Sequence, residues 1–318
     1  MTYLTMKGFN KTTPPRLPLC FTANTAGSTV KLQKNWSPTS VTLETSTDGS
    51  NWNTYTMKST ITLSNIWDKV YFRNTSETDT WFSVDNYNNY QFVMSWSIAG
   101  SWDITSLINK VWTNVIGNYY FISLFMYCTN LTTPPELPAT TLGNQCYNSM
   151  FYWCSNLTTA PNLPATELKE ACYYQMFRDC TSLTRSPKIS ATTLASQCYG
   201  SMFNWCSSLE TAPSLPATTL YQYCYLWMFT WCTSLTELPK LPATTLANNC
   251  YQAMFNWCTS IKLSTTQTWE YQTAYRIPTT WTGSAWTDSL KYMFLSTWWT
   301  FTGTPSINTT YYTSNTLV

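Results

Sequence analysis

The sequence predicts a mixed, mostly β architecture in three parts: an all-β sandwich over residues 1–104, a solenoid of 26-residue repeats over 105–264, and a cap over 265–318. Three observations lead there. Short β-branched and aromatic runs separated by turn residues fill the first hundred positions. One phrase then returns at a fixed interval through the middle of the chain. A degenerate copy of that phrase, without cysteines, stands near the end.

In the first part, Val30 to Leu32, Val41 to Leu43, Ile61 to Leu63 and Val70 to Phe72 are bounded by Asp-Gly, Asn and Ser turn signals and read as strands. Asp48-Gly49-Ser50 followed by Asn51-Trp52 predicts a hairpin tip. Short, evenly spaced strands without helical periodicity predict a small sandwich ending near Ser101 to Ile104.

In the second part, Cys128, Cys154, Cys180, Cys206, Cys232 and Cys258 recur every 26 residues, in phase with Phe125, Phe151, Phe177, Phe203, Phe229 and Phe255. A second cysteine series (Cys146, Cys172, Cys198, Cys224, Cys250) keeps the interval, as does Leu131, Leu157, Leu183, Leu209, Leu235, closed by Ile261. A fixed interval of this size is a solenoid period. Each unit has too little apolar area to stand alone and buries its ridge against its neighbours, so the array needs caps.

Each unit reads approximately LPATTLxxxCYxxMFxxCTSLTxxP. Its prolines forbid a helix in the Leu-Pro segment, and the Thr-rich, Leu-spaced sequence suits a short strand lying parallel to the next copy. Cys250, Met254, Phe255 and Cys258 fall at i, i+4, i+5 and i+8, which predicts one or two helical turns on the opposite wall. Leu290, Met293 and Phe294 mark the degenerate last unit, and the Thr/Ser/Trp-rich remainder predicts terminal β structure.

The core Phe203-Asn204-Trp205-Cys206-Ser207-Ser208-Leu209 resembles the BspA-like (Treponema-type) leucine-rich repeats, and the resemblance runs from Tyr119 to Leu263. LPATTL and Cys-Tyr-x-x-Met-Phe stand where the family more often has Ile-Pro and Ala-Phe phrases, so this is a divergent subtype. The resemblance implies a leucine-rich-repeat solenoid and a surface or virion-associated binding role. It implies no catalytic residues.

Composition narrows the setting. Charged residues make up 10% of the chain, with Lys+Arg 17 against Asp+Glu 15, so no basic field attracts nucleic acid or an anionic membrane. No stretch of about twenty apolar residues predicts membrane insertion, and Met1 to Lys7 lacks the apolar core of a signal peptide. The Thr/Ser/Asn/Tyr-rich, charge-poor surface suits work outside cells, in a virion protein or a mature secreted fragment.

The chain has no histidine and no Cys-x-x-Cys pair, which argues against zinc, other cofactors and most enzyme chemistries. The cysteines read as columns of small buried thiols. Glu167 and Glu170, beside Lys169, come closest to paired acids, and a favourable charge at a helix N-terminus explains them. The LPATT and LPATE phrases superficially resemble a sortase signal, but recur internally with no apolar tail.

Tryptophan is oddly frequent, 17 against 9 glycines. Many stand where turn chemistry calls for glycine, as in Asn35-Trp36-Ser37-Pro38, Asn65-Ile66-Trp67-Asp68, Ser101-Trp102-Asp103, Thr280-Trp281-Thr282-Gly283 and Trp298-Trp299. In the repeats Trp153, Trp205, Trp231 and Trp257 share one site, which Asp179 holds in another unit. Two explanations compete. The tryptophans form an aromatic ladder able to bind sugars or flat apolar ligands, or a reassigned UGA codon is written as Trp where the natural residue is Gly.

The residues after each ladder leucine vary while their neighbours do not, which marks Thr133, Thr159, Arg185, Thr211 and Glu237 as a candidate binding face. The expected function is non-enzymatic adhesion or receptor binding, as a phage tail or head appendage contacting a host surface glycan or protein. In that expectation the N-terminal domain docks on other virion proteins. A bacterial cell-surface adhesin of the same fold is the alternative.

Overall fold

The computed structural model describes residues 16–34, 41–80, 89–281, 288–297 and 300–318. Met1 to Lys7, Trp36 and the Trp298-Trp299 pair, singled out above, lie outside the described residues.

The N-terminal part folds as two sheets. The strands are β1 (Cys20–Ala23), β2 (Ser28–Lys34), β3 (Leu43–Ser46), β4 (Asn53–Thr54), β5 (Ile61–Leu63), β6 (Lys69–Asn74), β7 (Tyr90–Ser95) and β8 (Ile98–Ser101). One sheet runs β8-β1-β6-β3-β4 and the other β5-β2-β7, with antiparallel neighbours throughout. Alternation turns Val30 and Leu32 of β2, Val70 and Phe72 of β6, and Tyr90 and Phe92 of β7 inward. Phe21, Phe72 and Phe92 close the space between the sheets, with ring centroids 4.9–5.9 Å apart. The predicted hairpin tip joins β3 to β4. Gly49 takes φ +76, and Asp48 Oδ1 accepts the backbone N–H groups of Ser50 and Asn51 at 2.7 and 2.8 Å. Those amides, Asn51's foremost, hold the Asp48 carboxyl well below the usual carboxylate range.

The repeats begin on this sheet. β10 (Leu131–Thr133) adds to β8 in parallel, with Leu131 opposite Ile98, and a short 3-10 turn at Ile104–Leu107 lies between the two parts in sequence. The buried core is therefore continuous across the expected boundary at residue 104.

Successive units lie side by side along three lines. The first joins Thr158 N–H to Thr132 O, Glu210 N–H to Thr184 O and Thr236 N–H to Glu210 O, at 3.0–3.1 Å. The second carries the parallel bridge Leu163↔Ile189. The third pairs β9 (Val115–Ile116) with β11 (Thr141–Leu142), bridges Glu167↔Thr193, and pairs β13 (Thr245–Leu246) with β16 (Thr280–Trp281). The parallel strands expected of the Thr- and Leu-spaced segments form only at the two ends of the array; between residues 143 and 236 the parallel contact is reduced to single bridges, because prolines interrupt these segments and remove donors.

The opposite wall differs from expectation: no α-helix occurs among the described residues. The segment from Gln145 to Cys154 is a run of turns in which Gln145, Tyr147, Ser149 and Trp153 take left-handed φ of 53–60°. Ser149, Phe151 and Trp153 donate their N–H groups to the next unit, at Tyr174, Met176 and Arg178, over 2.8–2.9 Å. The residues between them, Met150, Tyr152 and Cys154, donate three positions back within their own unit, at 3.1–3.2 Å. A helix would direct every N–H to the carbonyl four back and leave none for the neighbour. Inter-unit bonding wins, and the apolar spacing that suggested a helix is satisfied all the same: Cys146, Met150, Phe151 and Cys154 are fully buried.

Behind this wall the side chains form columns. Phe92, Phe125, Phe151, Phe177, Phe203, Phe229, Phe255 and Phe294 stack at 5.3–5.7 Å and within 9° of parallel. Tyr147, Tyr173, Tyr199, Tyr225 and Tyr251 form a second column at 5.6–5.9 Å. All twelve cysteines are unpaired and buried. The first series donates its thiols to phenylalanine carbonyls one unit back, as in Cys154 Sγ to Phe125 O and Cys206 Sγ to Phe177 O, both 3.0 Å.

At the C-terminal end, Phe294 stacks on Phe255, and Tyr251, Ala253, Phe255 and Trp257 donate N–H bonds to residues 289–295 as they would to another unit. Beside it, β17 (Thr310–Thr313) pairs antiparallel with β14 (Leu263–Ser264) and β15 (Thr273–Arg276). β18 (Thr316–Leu317) pairs in parallel with β12 (Glu237–Leu238), extending the first line.

Candidate functional site: a column of variable side chains

Thr133, Thr159, Arg185, Thr211 and Glu237 follow the buried leucines Leu131, Leu157, Leu183, Leu209 and Leu235, so the apolar rung fixes where each begins. Arg185 and Thr211 are direct parallel-bridge partners, and Glu237 N–H bonds Glu210 O at 3.3 Å. Thr133 is anchored to the N-terminal part, its Oγ1 donating to Gly100 O at 3.0 Å. Thr159 and Arg185 are exposed, and the other three are half-buried. The five positions thus form one column on a hydrogen-bonded backbone.

A groove lies at each end of this column. One, of about 410 Å³, is walled by prolines, with Pro134, Pro135, Pro138, Pro161 and Pro164 around Thr133 and Thr159. The other, of about 590 Å³, is polar: Thr236, Glu237, Thr259, Ser260 and Lys262 face Ser314, Asn315 and Thr316 of the C-terminal tail. Asn315 holds that tail in place. Its Oδ1 accepts Lys262 N–H at 2.8 Å, and its Nδ2 donates to Thr236 O and Ser260 O at 3.0 and 3.2 Å. Nothing in the sequence marks the tail's share of this groove, because Thr316 breaks the 26-residue interval and carries no copy of the repeat phrase.

The tryptophan column resolves differently from the four-residue ladder. Trp205, Trp231 and Trp257 stack at 4.4 and 4.5 Å, within 10° of parallel. Trp153 stands apart, tilted against Tyr127 and Tyr152, because Asp179 occupies the rung between it and Trp205. Rings stacked this closely spend their faces on one another, and a sugar stacks on a free face. The middle ring, Trp231, offers ligands only its edges.

Glu167 ion-pairs with Lys169 at 2.5 Å within the third line, which replaces the expected role at a helix N-terminus. Burial pushes most of the column thiols up, Cys198 and Cys250 to about 12, which keeps them protonated in the folded chain; Cys172 departs from this, its thiol held below the ordinary value by the hydrogen bond with Cys146. Among the described residues, no group of three His, Cys, Asp or Glu side chains could hold a metal ion, and no helix is long and apolar enough to cross a membrane. No family model, curated protein or solved structure matches the chain.

Proposed function

We propose that this chain is a non-enzymatic adhesion or receptor-binding protein whose repeats form a leucine-rich-repeat solenoid of the BspA-like type. It reads a host surface glycan or protein through the column Thr133, Thr159, Arg185, Thr211 and Glu237. The single observation that supports the reading is the register of that column: Thr at three positions gives way to Arg185 and Glu237 while hydrogen bonds between units keep the positions in line. Hydroxyls and amides dominate the polar groove beside Glu237, a lining suited to carbohydrate hydroxyls or peptide amides.

The setting proposed is a virion surface, as a phage tail or head appendage. There the N-terminal β-sandwich caps the solenoid and docks on other virion proteins through its outward side. A thiol-rich interior without disulfides fits folding in a reducing cytoplasm before exposure, which supports a virion protein over a secreted one.

The test is binding of the purified full-length chain to glycan arrays and to host-cell envelopes, beside Arg185→Glu and Glu237→Lys variants. Saturable binding that weakens about tenfold or more in the variants, about 1.4 kcal/mol, is expected. Undiminished binding in both variants would remove the column from the site.

A further inference from the structure

Twelve tryptophans have a described backbone, and nine of them lie in the left-handed region. Trp67, Trp96, Trp102 and Trp112 take φ of 73, 58, 63 and 54° outside the repeat walls. Trp153, Trp205, Trp227, Trp231 and Trp257 take φ of 54–65° within them. Only a few per cent of non-glycine residues adopt this conformation, because Cβ then crowds the following carbonyl oxygen. Asn and Asp tolerate it through local side-chain hydrogen bonds, and an indole offers none of that kind.

The fold alone does not account for the concentration. In the walls, alternating bonding drives any residue left-handed, as Gln145 and Ala171 illustrate. Outside them that reason is missing. There the described non-glycine residues with left-handed φ are Lys58, Asn308 and four tryptophans, in loops that share no structure. Nor does packing require most of the rings: Trp67 is 72% exposed, Trp96 63%, and Trp153, Trp205, Trp227 and Trp257 between 40 and 47%. Trp102 is the exception outside the walls, stacked on Tyr71 at 5.5 Å with Lys69 5.7 Å over its face, and its ring contacts do not relieve its left-handed backbone. Trp52 provides the contrast. Its φ is ordinary, its ring meets Tyr71 at 6.5 Å, and the Arg73 guanidinium lies 3.8 Å over its face. There a ring in use stands on a backbone that any L-residue adopts, and the backbone is what sets it apart from the nine.

We infer that these nine positions are glycine in the native polypeptide, encoded by UGA in a source that assigns this codon to glycine. UGA differs from the glycine codon GGA at one base, and other codes that assign it to tryptophan produce the sequence as written. Glycine takes left-handed φ at no steric cost, so one substitution type removes all nine conflicts. It also removes the aromatic ladder: the strip beside Cys206, Cys232 and Cys258 becomes a flush glycine column, and ligand reading falls to the column from Thr133 to Glu237.

The first test needs no folding. Gene codons at the nine positions are expected to be UGA, with UGG at Trp52, and peptide masses from the native source are expected to fit glycine at the nine and tryptophan at Trp52. UGG codons, or a tryptophan mass in the peptide spanning Trp205, would overturn the inference. The second test compares the full chain with all nine as tryptophan against the chain with all nine as glycine. The glycine version is expected to melt ~15–30 °C higher, the range reached when five to ten stabilising changes combine. Equal or lower melting would count against it. Trp52→Gly in the glycine background is expected to lower Tm; a rise there would sever the gain from left-handed backbone and sink the inference as well.

Discussion

The N-terminal sheets and the repeats pack the same residue in opposite ways. Phe21, Phe72 and Phe92 meet edge-to-face at 68–79°, whereas the phenylalanines from Phe125 to Phe294 lie within 9° of parallel. Antiparallel strands bring each ring to its partner at an angle of its own, and edge-to-face geometry suits the ring quadrupole. Units related by translation present every ring identically, so an offset stack is the arrangement left to them. Repetition replaces many individual fits with one fit used many times, and any weakness in that fit is multiplied as well.

Alkaline pH is expected to expose that multiplication most strongly. Burial raises the thiols of Cys128, Cys154, Cys180, Cys198, Cys206, Cys224, Cys232, Cys250 and Cys258 in the repeats, against Cys20 alone in the N-terminal sheets. A thiol whose folded pKa exceeds its unfolded value of about 8.5 contributes stability that is complete below that pH and lost as pH rises above it. At about 1.4 kcal/mol per pH unit each, the nine repeat thiols sum to on the order of 10 kcal/mol per unit, as large as a typical total stability. The repeats are expected to unfold by about pH 10 while remaining stable at pH 8. A melting temperature unchanged between pH 8 and 10, followed by circular dichroism, would refute this.

Phe92 belongs to both regimes. It stacks on Phe125 at 5.3 Å and 9°, and meets Phe21 and Phe72 edge-to-face. Phe92→Ala is expected to cost ~3–5 kcal/mol and to split urea unfolding into two transitions, since it cuts the shared core at its seam. Phe203→Ala, in mid-column, is expected to cost a similar ~3–5 kcal/mol without the split. If Phe92→Ala leaves a single transition, the two parts are coupled elsewhere, for example through the β8–β10 pairing.

The sequence made part of this contrast legible. The interval of Cys, Phe and Leu identified the buried columns, and the alternation in Val30 to Leu32 and Val70 to Phe72 identified strands, because both patterns record which side chains avoid water. The turn wall was not legible. Cys146, Met150, Phe151 and Cys154 have the spacing of a helix face, and spacing records burial without recording where the N–H groups go. Nor was the full polar groove: Glu237 was marked by its place after Leu235, but Ser314 to Thr316 reach it through a strand pairing that no repeat announces.

That pairing is expected to depend on Asn315, whose buried amide holds three backbone groups from three places in the chain. Asn315→Ala would leave them unsatisfied and is expected to cost ~1–3 kcal/mol. The loss should be local: faster amide exchange in Val318 and Lys240, whose N–H groups bond Leu238 O and Val318 O across the pairing, with Phe203 and its neighbours still protected. Global destabilisation with no local loss of protection would mean that the tail is integral to the stack and not a strap across it.

The smallest expected effect on stability falls on the residue expected to matter most for binding. Arg185 is exposed, follows Leu183 on the column, and spends its backbone, not its guanidinium, on the bridge to Thr211. Arg185→Glu is therefore expected to change stability by no more than ~0.5 kcal/mol, since the rung's position is set by Leu183 beneath it. If the variant melts with the parent and loses the ligand, the fixed backbone and the variable face are separable, as translation of one unit requires. A large drop in stability would instead make Arg185 part of the scaffold, and the column would lose its claim to read anything.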